Sequence, residues 1–190
     1  DFFSNAFIHA VLQTSRYYIR PFGEVLSEYI PKKILERIAE LEHTTKPRNI
    51  ASENISRLKP IYIQKDFDAQ IAYIEHMQAT YTHICVIAPT DAYKKHIVSN
   101  IKHTEHITVI TPIDAYKLDS TEIDVCILAY AGSEYYRHMR KSFDTRYMVR
   151  MYCKLRNLQL VEMDTVLPIY ADVHIEDIHT HTSTSTVDIH

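Results

Sequence analysis

The chain has two glycines, Gly23 and Gly132, in 190 residues. Every glycine-rich phosphate loop needs several glycines close together, so that backbone N–H groups can close around the phosphate. None can be built here, and a nucleotide-hydrolysing loop would have to lie elsewhere. The three cysteines, Cys85, Cys126 and Cys153, form no CxxC pair, and two of them sit inside apolar runs. That spacing argues against a disulfide framework or a thiolate zinc site and points to a reducing, intracellular setting. No apolar run approaches the roughly 20 residues of a membrane-spanning helix, and Asp1-Phe2-Phe3-Ser4-Asn5 lacks the basic stretch of a secretory leader. The expectation is a cytoplasmic, non-membrane protein. Positive charge is also short: 21 Lys and Arg face 24 Asp and Glu, a net charge of -3. With no global basic field, any contact with phosphate must be local.

What is present reads as an ordinary globular domain. Hydrophobic residues make up 46% and charged residues 24%, far from the composition that leaves chains disordered, and this length suits one core. Phe22, Val25, Leu26 and Tyr29, then Ile34, Leu35, Ile38 and Leu41, recur at helical spacing on either side of Pro31, predicting two amphipathic helices. His43 to Lys59 has no period and reads as a loop. From Pro60 a grammar repeats. Pro60–Ile63, His83–Ala88, Ile107–Ile110, Asp124–Tyr130 and Leu158–Val161 are short β-rich runs. Helices fall between them, capped by Asp66, opened by Pro89-Thr90-Asp91, and capped by Asp144 through to Arg156. Near-continuous apolar strands alternating with helices predict an α/β fold with a mostly parallel sheet covered on both faces. The expected layout is one domain over 1–178, with a helical lead-in at about 12–43, a sheet core at about 60–170, and a flexible His/Thr-rich tail at 179–190.

Open α/β sheets bind ligands beyond the carboxyl ends of their strands, so 88–91, 111–121 and 132–136 are the segments to inspect. They also carry a resemblance. Ile107-Thr-Val-Ile-Thr111-Pro-Ile-Asp-Ala115-Tyr-Lys117, followed by Glu122-Ile-Asp124-Val-Cys-Ile-Leu, is similar to motif V of superfamily 1 helicases. There an apolar strand ends at Thr, a Lys-Gly-Leu-Glu-Phe-Asp stretch follows, and a second strand begins. Leu12-Gln-Thr14-Ser15-Arg16-Tyr17 resembles the Leu-x-x-Ser-Tyr-Arg-Ser opening of the same domain, and Arg146 to Val161 stands where motif VI would. The three segments fall in family order, so the stretch from Leu12 to Val161 resembles the C-terminal RecA-like (P-loop NTPase-type) domain of UvrD/Rep/HelD-type DNA helicases, in degenerate form.

The resemblance implies roles. Arg16 and Glu122 would contact the nucleotide, and Thr111 and Lys117 the nucleic acid. Lys154 and Arg156 would stand in for the motif VI arginine, whose place falls at Cys153 or Lys154, with Arg150 and Arg156 one turn to either side. A planar, permanently charged guanidinium suits γ-phosphate stabilisation better than an ammonium, so Lys or Cys there impairs hydrolysis. The motif V glycine is missing, and about three residues near Leu118 to Ser120 are inserted. The implied cofactor is ATP with Mg2+, bound only together with an N-terminal RecA-like domain carrying the phosphate loop. The isolated chain is expected to bind none and to be inactive alone. The implied partners are that domain and DNA or a nucleic-acid-bound complex. A second reading is a catalytically inactive RecA-like module that docks on a transcription, replication or repair complex.

Each candidate also has a plain reading. Arg16 can be a surface arginine, Thr111 a strand end, Glu122 and Asp124 solvated edge charges, and Lys154 and Arg156 cations favouring a helix C-terminus. Twelve histidines, among them His174, His179, His181 and His190, raise a metal site, but the last three sit in a Thr/Ser-rich tail without a cysteine partner. The pairs Tyr17-Tyr18 and Tyr135-Tyr136 can stack on bases or simply pack.

Overall fold

A computed structural model describes residues 3–41, 59–102, 105–119, 122–138 and 143–166. The loop expected at 43–59, except Lys59, the tail at 179–190 and the boundary at 178 lie outside them. Three helices lead in: α1 (Asn5–Tyr17), α2 (Phe22–Tyr29) and α3 (Lys32–Leu41). The first begins earlier than the helical lead-in expected from about residue 12; Ser4 caps it, its hydroxyl accepting from the Phe7 N–H at 3.2 Å.

Five strands follow: β1 (Ile61–Gln64), β2 (Ile84–Ile87), β3 (Ile107–Ile110), β4 (Val125–Ala129) and, after a short antiparallel hairpin of β5 (Arg137–His138) and β6 (Phe143–Asp144), β7 (Gln159–Asp164). They form one all-parallel sheet in the order β1-β7-β4-β2-β3. This is the parallel α/β architecture that the sequence predicts, consistent with a RecA-like fold. The run at Ile61–Ile63 belongs to the same sheet as the others, although it takes the edge beside β7.

The connections sort by face. α4 (Phe67–Met77) and α5 (Asp91–Asn100) link β1 to β2 and β2 to β3, and both bury Ile71, Ile74, Met77 and Ile97 against Ile84, Val86, Val125 and Ile127. A 3-10 helix (Pro112–Asp119) links β3 to β4, where the sequence suggests only a turn, and α6 (Thr145–Arg156) links β4 to β7. These two cover the opposite face together with α1 and α2, packing Leu118, Met148, Val149 and Tyr152 against Cys85, Ile87, Cys126 and Leu128. Because both faces are covered, β2 and β4 are buried along their whole length. The caps foreseen for the helices are present: Asp66 accepts from Ala69 N–H at 2.9 Å, Thr90 from Tyr93 at 3.4 Å and Asp144 from Arg146 at 2.9 Å.

Neighbouring β2 and β4 send their outgoing connections in opposite directions, to α5 on one face and α6 on the other. Their carboxyl ends therefore flank the switch point at which sheets of this kind open a crevice. Among the described residues no helix is long and apolar enough to cross a membrane.

Candidate functional site

The switch-point crevice is filled by the protein itself. From one side the buried Tyr136 hydroxyl shares its proton between the carbonyls of Ile87, at 2.6 Å, and Ala129, at 2.7 Å, and so bridges the ends of β2 and β4. The loop that carries Tyr136 is pinned twice more. The Asp164 carboxylate accepts from Gly132 N–H, and the buried Arg146 guanidinium donates to the Ala131 carbonyl while gripping Asp144 through Nε at 2.9 and 3.0 Å. Arg146 also lies over the Tyr136 ring, 5.8 Å from its centroid. From the other side Tyr130, held at φ 53°, packs on Tyr93 at 4.3 Å and stacks on Phe67 at 5.7 Å, and Phe67 meets His96 at 4.0 Å. The Tyr130 hydroxyl is buried with no hydrogen-bond partner among the described residues, and burial, helped by Tyr93 and Asp68, pushes its phenol up to about 12. The links that close the crevice have no local sequence signal, since Tyr136 and Ile87 are 49 residues apart and Gly132 and Asp164 are 32 apart.

The six residues singled out by the sequence divide between the two ends of the sheet. Glu122 precedes β4, and Lys154 and Arg156 close α6 just before β7, so all three lie at the amino-terminal edge. There a cavity of about 280 Å³ opens beside β2, β3 and β4, with Glu122, His83, Glu105, His106 and Thr108 among its lining. Asp124 organises this edge by accepting from the N–H groups of Thr82, at 3.0 Å, and His83, at 2.8 Å. Arg156 reaches Asp119, with 3.7 Å between Nη1 and Oδ1, and lies over the Tyr152 ring. Asp119 is buried, and it also accepts from the Ser4 N–H and hydroxyl and from the Tyr152 hydroxyl at 3.3 Å. Lys154 is exposed.

Thr111 lies at the opposite edge, at the carboxyl end of β3, buried, its carbonyl accepting from Asp114 N–H. Lys117, on the 3-10 helix, pairs with Asp114 at 3.1 Å, and Asp114 also faces Lys94 in the first turn of α5 at 3.9 Å. Arg16 is on this side too. α1 runs antiparallel to α6, because Ser4 meets Asp119 near the end of α6 while Tyr17 stacks on Tyr147 at its start. Arg16, in the last turn of α1, is therefore carried away from Glu122, Lys154 and Arg156.

Among the described residues no group of three or more His, Cys, Asp or Glu is placed to hold a metal, and all three cysteines are free and buried. His174, His179, His181 and His190 lie outside them. Compared with protein-family models and with curated proteins, the chain matches none, so its geometry carries the functional reading.

Proposed function

We propose that the chain is the C-terminal RecA-like half of an ATP-dependent helicase or translocase, supplying one wall of a nucleotide cleft with one edge of its sheet and part of a nucleic-acid track with the other. One observation carries this reading. Sorted by the roles that the resemblance implies, Glu122, Lys154 and Arg156 share the amino-terminal edge, where Glu122 lines a cavity that neither cation lines, while Thr111 sits at the carboxyl edge with Lys117 paired towards it. Open α/β sheets bind ligands at their carboxyl ends, so a nucleotide wall at the amino-terminal edge departs from that rule, and the separation counts towards the partner-docking module. Arg16 does not fit its nucleotide role, and the wall is half a site: with no phosphate loop in the chain, ATP and Mg2+ need a first RecA-like domain for hydrolysis.

The reading is tested by titrating the isotopically labelled 190-residue chain, followed by two-dimensional NMR, first with Mg-ATP and then with a single-stranded oligodeoxynucleotide. Weak ATP shifts should gather at Glu122, Lys154 and Arg156, and oligonucleotide shifts at Thr111 and Lys117. Shifts from both ligands at one edge, or no ATP shift at the amino-terminal edge, sink it. The rival, an inactive module docking on a protein complex, draws on the engagement of Arg156 by the buried Asp119. It is favoured if neither ligand shifts any residue.

A further inference from the structure

Tyr17 is 62% exposed and stacks almost parallel on Tyr147 at the start of α6, with ring centroids 4.3 Å apart and planes 20° apart. Tyr18 stands edge-on to both rings and fixes the pair. One face of the Tyr17 ring is thus covered, and its exposure leaves the other open to solvent. Two residues on, Ile19 is 90% exposed and held at φ 53°, a left-handed conformation that β-branched residues avoid. The turn is fixed in that shape by Ile19 N–H to Arg16 carbonyl at 3.3 Å, Arg20 N–H to Ser15 carbonyl at 2.9 Å, and Ser15 hydroxyl to Arg20 carbonyl at 2.6 Å. Arg16 and Arg20 flank Tyr17 and Tyr18 in the sequence, Arg16 exposed and Arg20 partly buried. Among the acids near this turn, Asp144 is held by Arg146 and lies 3.8 Å from Arg137, and Glu24 sits one turn away in α2.

We infer that this shelf binds single-stranded nucleic acid. The open face of Tyr17 stacks on a base, Ile19 inserts at the neighbouring base step, and Arg16 and Arg20 take the adjoining phosphates. Two arginines in the same turn supply positive charge for phosphates beside an open π-face, and that pairing suits a single strand. The inference rests on the reading that the carboxyl edge faces the nucleic acid, and it gives Arg16 a phosphate to hold on that side in place of a nucleotide.

The test is fluorescence anisotropy of the 190-residue chain with labelled dT12, rU12 and a 12-base-pair duplex at low salt. Both single strands should bind, and the duplex, whose bases are already stacked, more weakly. Tyr17→Ala should weaken single-strand binding by roughly 5- to 150-fold, the range that one base–aromatic stack supplies. Tyr17→Phe should stay within about twofold of wild type, because the ring and not the hydroxyl makes the contact. Ile19→Gly, which relieves the turn and so folds, should also weaken binding, and Arg16→Ala should lower the salt slope by about 0.7, the share of one single-strand phosphate. Tyr17→Ala at wild-type affinity, or duplex bound as tightly as single strand, overturns the shelf. If Thr111→Val then abolishes binding while Tyr17→Ala does not, the shelf alone falls and the two-edged reading stands. A wild-type chain that binds neither single strand overturns both.

Discussion

Two helices of this chain end in the same hydrogen-bond pattern with different residues in the left-handed position. At the end of α6 Asn157 takes φ 55°, its N–H donating to the Lys154 carbonyl and that of Leu158 to the Cys153 carbonyl. Asparagine tolerates this conformation. At the end of α1 the equivalent residue is Ile19, whose Cβ crowds the backbone, a cost of about 1–2 kcal/mol that glycine avoids. Ile19→Gly should therefore stabilise the fold by about 1 kcal/mol once the greater freedom of glycine in the unfolded chain is deducted, raising Tm by about 2–4 °C. A melting point equal to or below wild type would show that the Ile19 side chain makes packing contacts its exposure hides. Gly132 is the opposite case. A Cβ there would run into the Asp164 carboxylate that accepts its N–H, so Gly132→Ala must break the link between the β4 and β7 ends.

At the scale of the element, α6 and β7 show what the sequence could and could not reveal. The helix was legible because Asp144 is an unambiguous cap and because Val149, Tyr152 and Cys153 keep a helical period. The strand was read only to Val161, since the acidic Glu162 breaks the apolar run, yet β7 continues to Asp164. Glu162 is 2% exposed, and its two oxygens accept from Arg150 Nε at 2.7 Å and Nη2 at 2.6 Å. A charge inside a strand is hidden from a hydrophobic pattern when its partner sits on a helix. The β5–β6 hairpin, two residues per strand, was too short to leave a period, and the 3-10 helix offers no spacing that separates it from a turn. Of the candidate site, the residue types were legible, but their division between edges was not, because it depends on strand order. Arg150→Met should destabilise the fold by about 3 kcal/mol by leaving Glu162 buried without its cation. Adding Glu162→Leu should recover most of that loss in chemical denaturation, and a double variant no better than the single would mean that the ion pair is not what holds α6 to β7.

At the scale of the whole molecule, the absence of tryptophan leaves tyrosine to fill the core, and this gives the fold an alkaline limit. Tyr29, Tyr136 and Tyr152 are fully buried, and burial is the chief cause raising each phenol above its ordinary value of 10.0. Tyr130 is raised to about 12 in the same way. A raised phenol keeps its proton in the folded state where the unfolded chain has lost it. The stability it contributes is therefore whole below about pH 10 and is lost as pH rises through the folded value. Each such group contributes a slope of about 1.4 kcal/mol per pH unit in that window, so the three fully buried phenols together approach about 4 kcal/mol per unit. Urea midpoints should stay level from pH 8 to 9.5 and fall steeply by pH 10.5. Tyr136→Phe separates the two duties of the residue that clamps β2 to β4. At pH 8 it should cost about 1–2 kcal/mol, because the carbonyls of Ile87 and Ala129 lose their shared donor. At pH 10.5 the wild type pays to keep that phenol protonated and the variant does not, so the gap should narrow. A gap that holds or widens with pH would mean that the Tyr136 phenol ionises inside the fold as readily as outside it, and that the switch point is wetter than its packing implies.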